Sequence, residues 1–220
     1  MQTPVRRLLN LTLSDVQLAA DLLLPETATG LVVFVHGSGS SRLSPRNRQV
    51  ALYFNGRGLA TLLFDLLTEV EQRLDQVSRA LRFDIPLLSR RLLGVIDWLA
   101  ADSDLRHLRL GLFGASTGAA AALIAAAQRN QRVQALVSRG GRSDLAGAAL
   151  SEVLAPTLLI VGGEDSLVLQ LNRQTSEQLR CTQRLAVIPG ASHLFAEPGT
   201  LEEVAREAGD WFERYLGASR

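Results

Sequence analysis

Leu108-Arg109-Leu110-Gly111-Leu112-Phe113-Gly114-Ala115-Ser116-Thr117-Gly118 and the run from Ala119 to Ala127 decide how this chain is read. Leu108 to Phe113 is an apolar segment that runs into glycine, and it reads as a buried strand. Ala119 to Ala127 is almost all alanine, leucine and isoleucine with no proline, and it reads as a helix. Between them a serine stands with one glycine two residues before it and another two residues after. On a strand-to-helix turn this spacing suits a nucleophilic serine. The turn is tight enough that a Cβ at Gly114 or Gly118 would meet the adjacent strand or helix. The serine is held strained, with its Oγ exposed.

Such a serine needs a base, and the chain has three histidines to offer. His107 lies in the polar approach Asp104-Leu105-Arg106-His107 and reads as a solvated loop residue. His36 belongs to a second motif. His193 sits in Pro189-Gly190-Ala191-Ser192-His193, after the strand-like Arg184 to Ile188 and before a helix from about Thr200. Loops at the carboxyl ends of strands are where ligands gather in open α/β sheets. The acid follows the apolar run Pro156 to Val161, in Gly162-Gly163-Glu164-Asp165-Ser166. Asp165 is preferred over Glu164 because a short side chain suits a tight loop, which leaves Glu164 pointing to solvent. The chain order becomes Ser116, Asp165, His193.

The fourth motif is Leu31-Val32-Val33-Phe34-Val35-His36-Gly37-Ser38-Gly39-Ser40-Ser41. An apolar strand opens into a loop of small residues, whose backbone N–H groups can turn toward a developing oxyanion. The N–H groups of Ser38 and Thr117 are assigned as those donors, and His36 as a structural brace. A phosphate-binding loop is excluded, since no Gly-Lys-Ser/Thr follows and the third glycine of a dinucleotide fingerprint is missing.

Composition narrows the chemistry further. All 23 basic residues are arginine, which removes Schiff-base and Ser-Lys mechanisms. One cysteine and three scattered histidines form no metal-ligand pattern, so neither metal nor cofactor is expected. Cys181 has no internal partner and reads as inert. The net charge of +1 is spread along the chain with no basic stripe, which argues against nucleic acid. The N-terminal residues lack a signal-peptide core and no run approaches a membrane span, so a cytoplasmic location is expected.

Residues 1–220 read as one α/β domain, a mostly parallel sheet with helices on both faces. The expected elements are an edge hairpin over Leu9 to Leu24 and helices over Arg46 to Gly56, Ile85 to Ala100, Val168 to Leu179 and Leu201 to Leu216. Further strands are expected over Ala60 to Phe64 and Val133 to Ser138. Leu66 to Asp84 is irregular, and reads equally as a segment covering a site or as a charged surface helix.

Together these motifs resemble the α/β-hydrolase superfamily, and within it the dienelactone-hydrolase-like group, over nearly the whole chain. Dienelactone hydrolases proper use a cysteine nucleophile where Ser116 stands. That departure favours a general serine esterase or lactonase acting on small molecules. The resemblance implies a cofactor-free acyl-enzyme mechanism and no large cap domain. Acyl transfer or perhydrolysis on the same triad, and a non-catalytic binding scaffold, are the alternatives. Arg42, beside the oxyanion loop, and Arg139, at a strand end, are the candidate ligands for a substrate carboxylate.

Overall fold

A computed structural model describes residues 4–217. Among them eight strands form one sheet: β1 Val5–Thr12, β2 Gln17–Leu24, β3 Gly30–Val35, β4 Leu59–Phe64, β5 Arg109–Ala115, β6 Val133–Arg139, β7 Thr157–Gly162 and β8 Gln183–Ile188. Their spatial order is β1-β2-β4-β3-β5-β6-β7-β8. β1 and β2 form the expected antiparallel edge hairpin, β2 pairs antiparallel with β4, and the other pairings are parallel. The hairpin starts at Val5 and not at Leu9. β1 is exposed at most positions and carries little hydrophobic alternation to read.

Six helices follow in order: α1 Pro45–Gly56, α2 Glu69–Ser78, α3 Ile85–Ala101, α4 Thr117–Gln128, α5 Ser166–Gln178 and α6 Thr200–Leu216. α1 and α6 cover one face of the sheet, and α3 and α4 the other. β3 shows why its sequence is continuously apolar. Leu31, Val33 and Val35 enter one core while Val32 and Phe34 enter the other, so both faces are buried. No cap domain is present among the described residues.

The chain places β4 on one side of β3 and then returns to place β5 on the other. Connections therefore leave this pair in opposite directions, and a crevice opens at the carboxyl ends of β3 and β5. The loop after β3 and the turn after β5 meet there. A Cβ at Gly118 would lie 2.2 Å from the Val35 carbonyl oxygen and 2.4 Å from that of His36. At Gly114 it would lie 2.6 Å from the Cα of Ala119. Both glycines permit backbone-to-backbone approach that no side chain allows.

His36 braces the loop, as expected. Its Nε2 accepts the N–H of Leu66 at 3.1 Å, which leaves Nδ1–H to donate to the Gly37 carbonyl at 3.0 Å. This tautomer is neutral and ties the end of β3 to the segment after β4. Burial pushes the imidazole pKa below its ordinary value, partly offset by the Gly37 carbonyl and the Asp65 charge.

Residues 66–84 are ordered by two devices. Thr68 and Glu71 form a capping box that starts α2, with Thr68 N–H donating to Glu71 at 2.8 Å and Glu71 N–H to Thr68 at 3.2 Å. Arg82, in a 3₁₀ turn over Leu81–Phe83, holds the buried Asp75 through Nε at 2.5 Å and through its backbone N–H at 3.1 Å.

Two outcomes follow from these contacts. Gly118→Ala should lower the urea-unfolding free energy by about 3 kcal/mol or more, because backbone must shift to admit the methyl. Gly56→Ala, with nothing within 4 Å of the added carbon, should be neutral or stabilising by up to about 1 kcal/mol. For His36 the folded pKa is lowered, so below the ordinary value of 6.5 the unfolded chain binds the extra proton. Its contribution to stability is complete above that pH and is lost as pH falls through the folded pKa. Unfolding free energies of His36→Gln should flatten against pH just below 6.5, where those of wild type decline.

Candidate active site

Ser116 follows β5 with φ 49° and ψ −122°, a conformation that costs a non-glycine residue roughly 1–3 kcal/mol. Surrounding hydrogen bonds over-determine it. Its N–H donates to the Arg139 carbonyl at 3.2 Å, and its carbonyl accepts from Ala119 N–H at 3.1 Å and Arg142 N–H at 3.0 Å. A serine at a helix N-cap ordinarily spends its hydroxyl on the first turn. Here it makes no such bond, and the side chain faces a cavity.

Asp165 precedes α5 and likewise leaves that helix uncapped. Its carboxylate accepts the His193 Nδ1–H at 2.6 Å. That bond fixes the tautomer in which Nε2 is free to take a proton. Glu164 is exposed, as expected from the loop geometry. The loops after β7 and β8 are pressed together, since a Cβ at Gly162 would lie 2.3 Å from the Ala191 carbonyl. Phe195, buried and at φ 52°, anchors the far side of the histidine loop. A Cβ at Gly140, whose φ is 52°, would lie 3.5 Å from the His193 ring.

Ser116 and His193 share the walls of an open cavity of about 260 Å³ with Ser38, Ser44, Arg46 and Arg139. Among the described residues no hydrogen bond joins Ser116 to His193, whereas the His193–Asp165 half is formed. Catalytic contacts of this kind commonly tighten only when substrate binds. Ser38 lies on the cavity wall, and Thr117 is buried at the first position of α4 behind the serine. Neither of their N–H groups donates to another acceptor among the described residues. A second cavity, about 120 Å³, adjoins the first across Gly37, Ser38 and Ser40. Leu66, Gln72, Gln76 and Arg82 wall it, so the 66–84 segment borders the site as a helix.

The two candidate arginines part company. Arg42 does not line either cavity. Its backbone N–H donates to Asp65 at 2.8 Å, its guanidinium is ion-paired with the same carboxylate, and its Nε lies 3.5 Å from Asp21. Bound to two acids, it is a brace and not a free ligand. Arg139 does line the cavity beside Ser116 and His193, over the Phe113 ring at 5.9 Å. Arg46 stands beside it and was missed in the sequence, where it read only as a helix residue. The signal was present: a cation at the second position of a helix, opposed to the dipole, with no acid in the first turn.

His107 is exposed, and Cys181 is half-buried with its thiol pKa pushed up by burial. No group of three potential metal ligands and no helix long and apolar enough to cross a membrane occurs among the described residues.

The model of the dienelactone hydrolase family matches residues 60–217. A crystal structure of dienelactone hydrolase from Anabaena variabilis superposes with a TM-score of 0.96 at 54% identity, covering 98% of this chain and 100% of that one. The esterase domain of a Rhodothermus marinus protein shares the fold alone, with a TM-score of 0.76, 18% identity and coverage of 97% and 100%. A Mycobacterium tuberculosis protein described as "Putative phosphoribosyl transferase" is 56% identical over 201 residues, 91% of this chain and 44% of its own length. The chain thus spans about half the length of that curated relative. With the sheet, the strained serine and the paired histidine in place, the family match assigns the chain to the dienelactone hydrolase family.

Proposed function

We propose that this chain hydrolyses carboxylic esters or lactones of small molecules through a Ser116–His193–Asp165 triad and an acyl-enzyme. The observation that carries this reading is the 2.6 Å His193–Asp165 bond at the rim of a cavity that also holds the strained, uncapped Ser116.

In the first half-reaction His193 Nε2 takes the Ser116 proton as Oγ bonds to the substrate carbonyl carbon. The electron pair moves to the carbonyl oxygen, which the N–H groups of Ser38 and Thr117 receive. Each such donor is worth about 3 kcal/mol of transition-state stabilisation. Collapse breaks the bond to the leaving alkoxide, which His193 protonates. Water, deprotonated by His193, then cleaves the acyl-enzyme and regenerates Ser116. Asp165 holds the imidazole through its Nδ1–H and stabilises the imidazolium that forms. No step calls for a cofactor. We assign Arg139 to substrate binding, while the acids that hold Arg42 take it out of that role. A single domain over 1–220 acting in the cytoplasm belongs to the same proposal, with the half-buried, unpaired Cys181 in keeping with a reducing compartment.

A fluorophosphonate probe should label Ser116 once, read by mass spectrometry, and Ser116→Ala should abolish the adduct. No adduct on folded wild-type protein would refute an activated serine. On a p-nitrophenyl ester panel, Asp165→Asn should lower kcat by about 10⁴-fold with the fold intact. An unchanged kcat would remove Asp165 from the mechanism.

A further inference from the structure

We infer that the catalytic cavity holds a doubly charged oxyanion group of the substrate, phosphoryl or dicarboxylate, between Arg46, Arg139 and the first turn of α1. This deepens the esterase reading by naming what the ester carries besides its reacting bond, and it rests on that reading for the position of the chemistry.

Three sources of positive charge converge on one wall. Arg139 Nη1 and Arg46 Nε are shut off from solvent and have no hydrogen-bond partner. Both side chains line the cavity beside Ser116 and His193. The third source is the amino end of α1, where Ser44 caps the Asn47 N–H at 3.4 Å and the first turn contains no acid. None of the residues lining the cavity is acidic.

Two other sheltered arginines of the chain are paired with acids. Arg91 is paired with Asp15 at 3.1 Å and Glu71 at 2.8 Å, and Arg82 is paired with Asp75 at 2.5 Å. Arg46 and Arg139 line one cavity, and neither is ion-paired with a carboxylate among the described residues. The Arg139 pKa is pushed down to about 10, first by burial and then by the Arg46 charge. The Arg139 guanidinium remains charged at neutral pH despite its burial and the like charge beside it.

Charge counting decides the ligand class. A single carboxylate would leave one of two neighbouring cations uncompensated, beside an Arg139 guanidinium that is itself sheltered from solvent. A group bearing two negative charges matches the pair, and its several oxygens suit two guanidinium forks together with the Arg46 N–H, the one first-turn N–H of α1 without an acceptor among the described residues. Arg139 is fixed next to the nucleophile because its own carbonyl accepts the Ser116 N–H. The anion therefore lies on the part of the substrate that enters beside the attacking oxygen.

Calorimetric titration of the full chain tests this with sodium phosphate, malonate and acetate, at ionic strength held constant with sodium chloride. Phosphate or malonate should bind saturably, at least tenfold more tightly than acetate. Tighter phosphate assigns a phosphoryl group, and tighter malonate a dicarboxylate. Arg46→Met and Arg139→Met should each weaken that binding tenfold or more. Without anion, both variants should melt no lower than wild type, because each removes an uncompensated charge. Acetate equal to the dianions, or no saturable binding at all, would overturn the inference. So would variants that melt lower while binding phosphate as wild type does, since the arginines would then be structural. Arg46→Gln, at the half-exposed rim, repeats the titration should the methionine variants fold poorly. Fluorophosphonate labelling in parallel separates the two readings. Anion binding without a Ser116 adduct would sink the esterase, and an adduct without anion binding would sink this site alone.

Discussion

The start of α4 rests directly on the end of β3, and the site depends on that approach. At 118 only a hydrogen atom fits between the helix backbone and the carbonyls of Val35 and His36. The contact sets the distance between the turn that carries Ser116 and the loop that carries Ser38, so both sides of the cleft are positioned by one packing event. A strained conformation at Ser116 survives because its N–H and carbonyl are both engaged by neighbouring strands and turns. The hydroxyl is left with no structural duty.

Electrostatics divides the molecule into a balanced exterior and an unbalanced cleft. With no lysine, the chain meets its acids with planar forks, as where Arg129 grips Asp97 through Nε and Nη2 at 2.8 Å each. Arg57 does the same with Glu213 and adds Asp210, joining α1 to α6. The cleft breaks this habit, with two guanidinium groups and no acid on its wall. Sites that bind charge commonly carry such a cost to stability.

The segment bordering the site inverts ordinary amphipathy. α2 turns Gln72, Asp75 and Gln76 toward the cavity while Val70, Leu74 and Val77 are exposed. Periodicity read on the usual rule of apolar-inward therefore could not decide between a cover and a surface helix. The capping box Thr68-Glu69-Val70-Glu71 was readable, because it is a local signal confined to four residues. The hairpin boundary was misplaced for the opposite reason: β1 is too exposed to show a pattern.

What the sequence determined by itself is whatever local chemistry dictates. Continuous apolar runs marked the strands buried on both faces. Glycines flanking Ser116 marked a turn that tolerates no Cβ, and strand-end loops marked Asp165 and His193 as partners in chain order. Tertiary structure decided which charges remain free. Arg42 and Arg46 stand four residues apart with similar neighbours in the sequence, yet one is clasped by Asp65 and Asp21 and the other enters the cleft unpartnered. The partners of a long, flexible cation are set by carboxylates brought from β2 and from the end of β4. Only the folded sheet places those beside it.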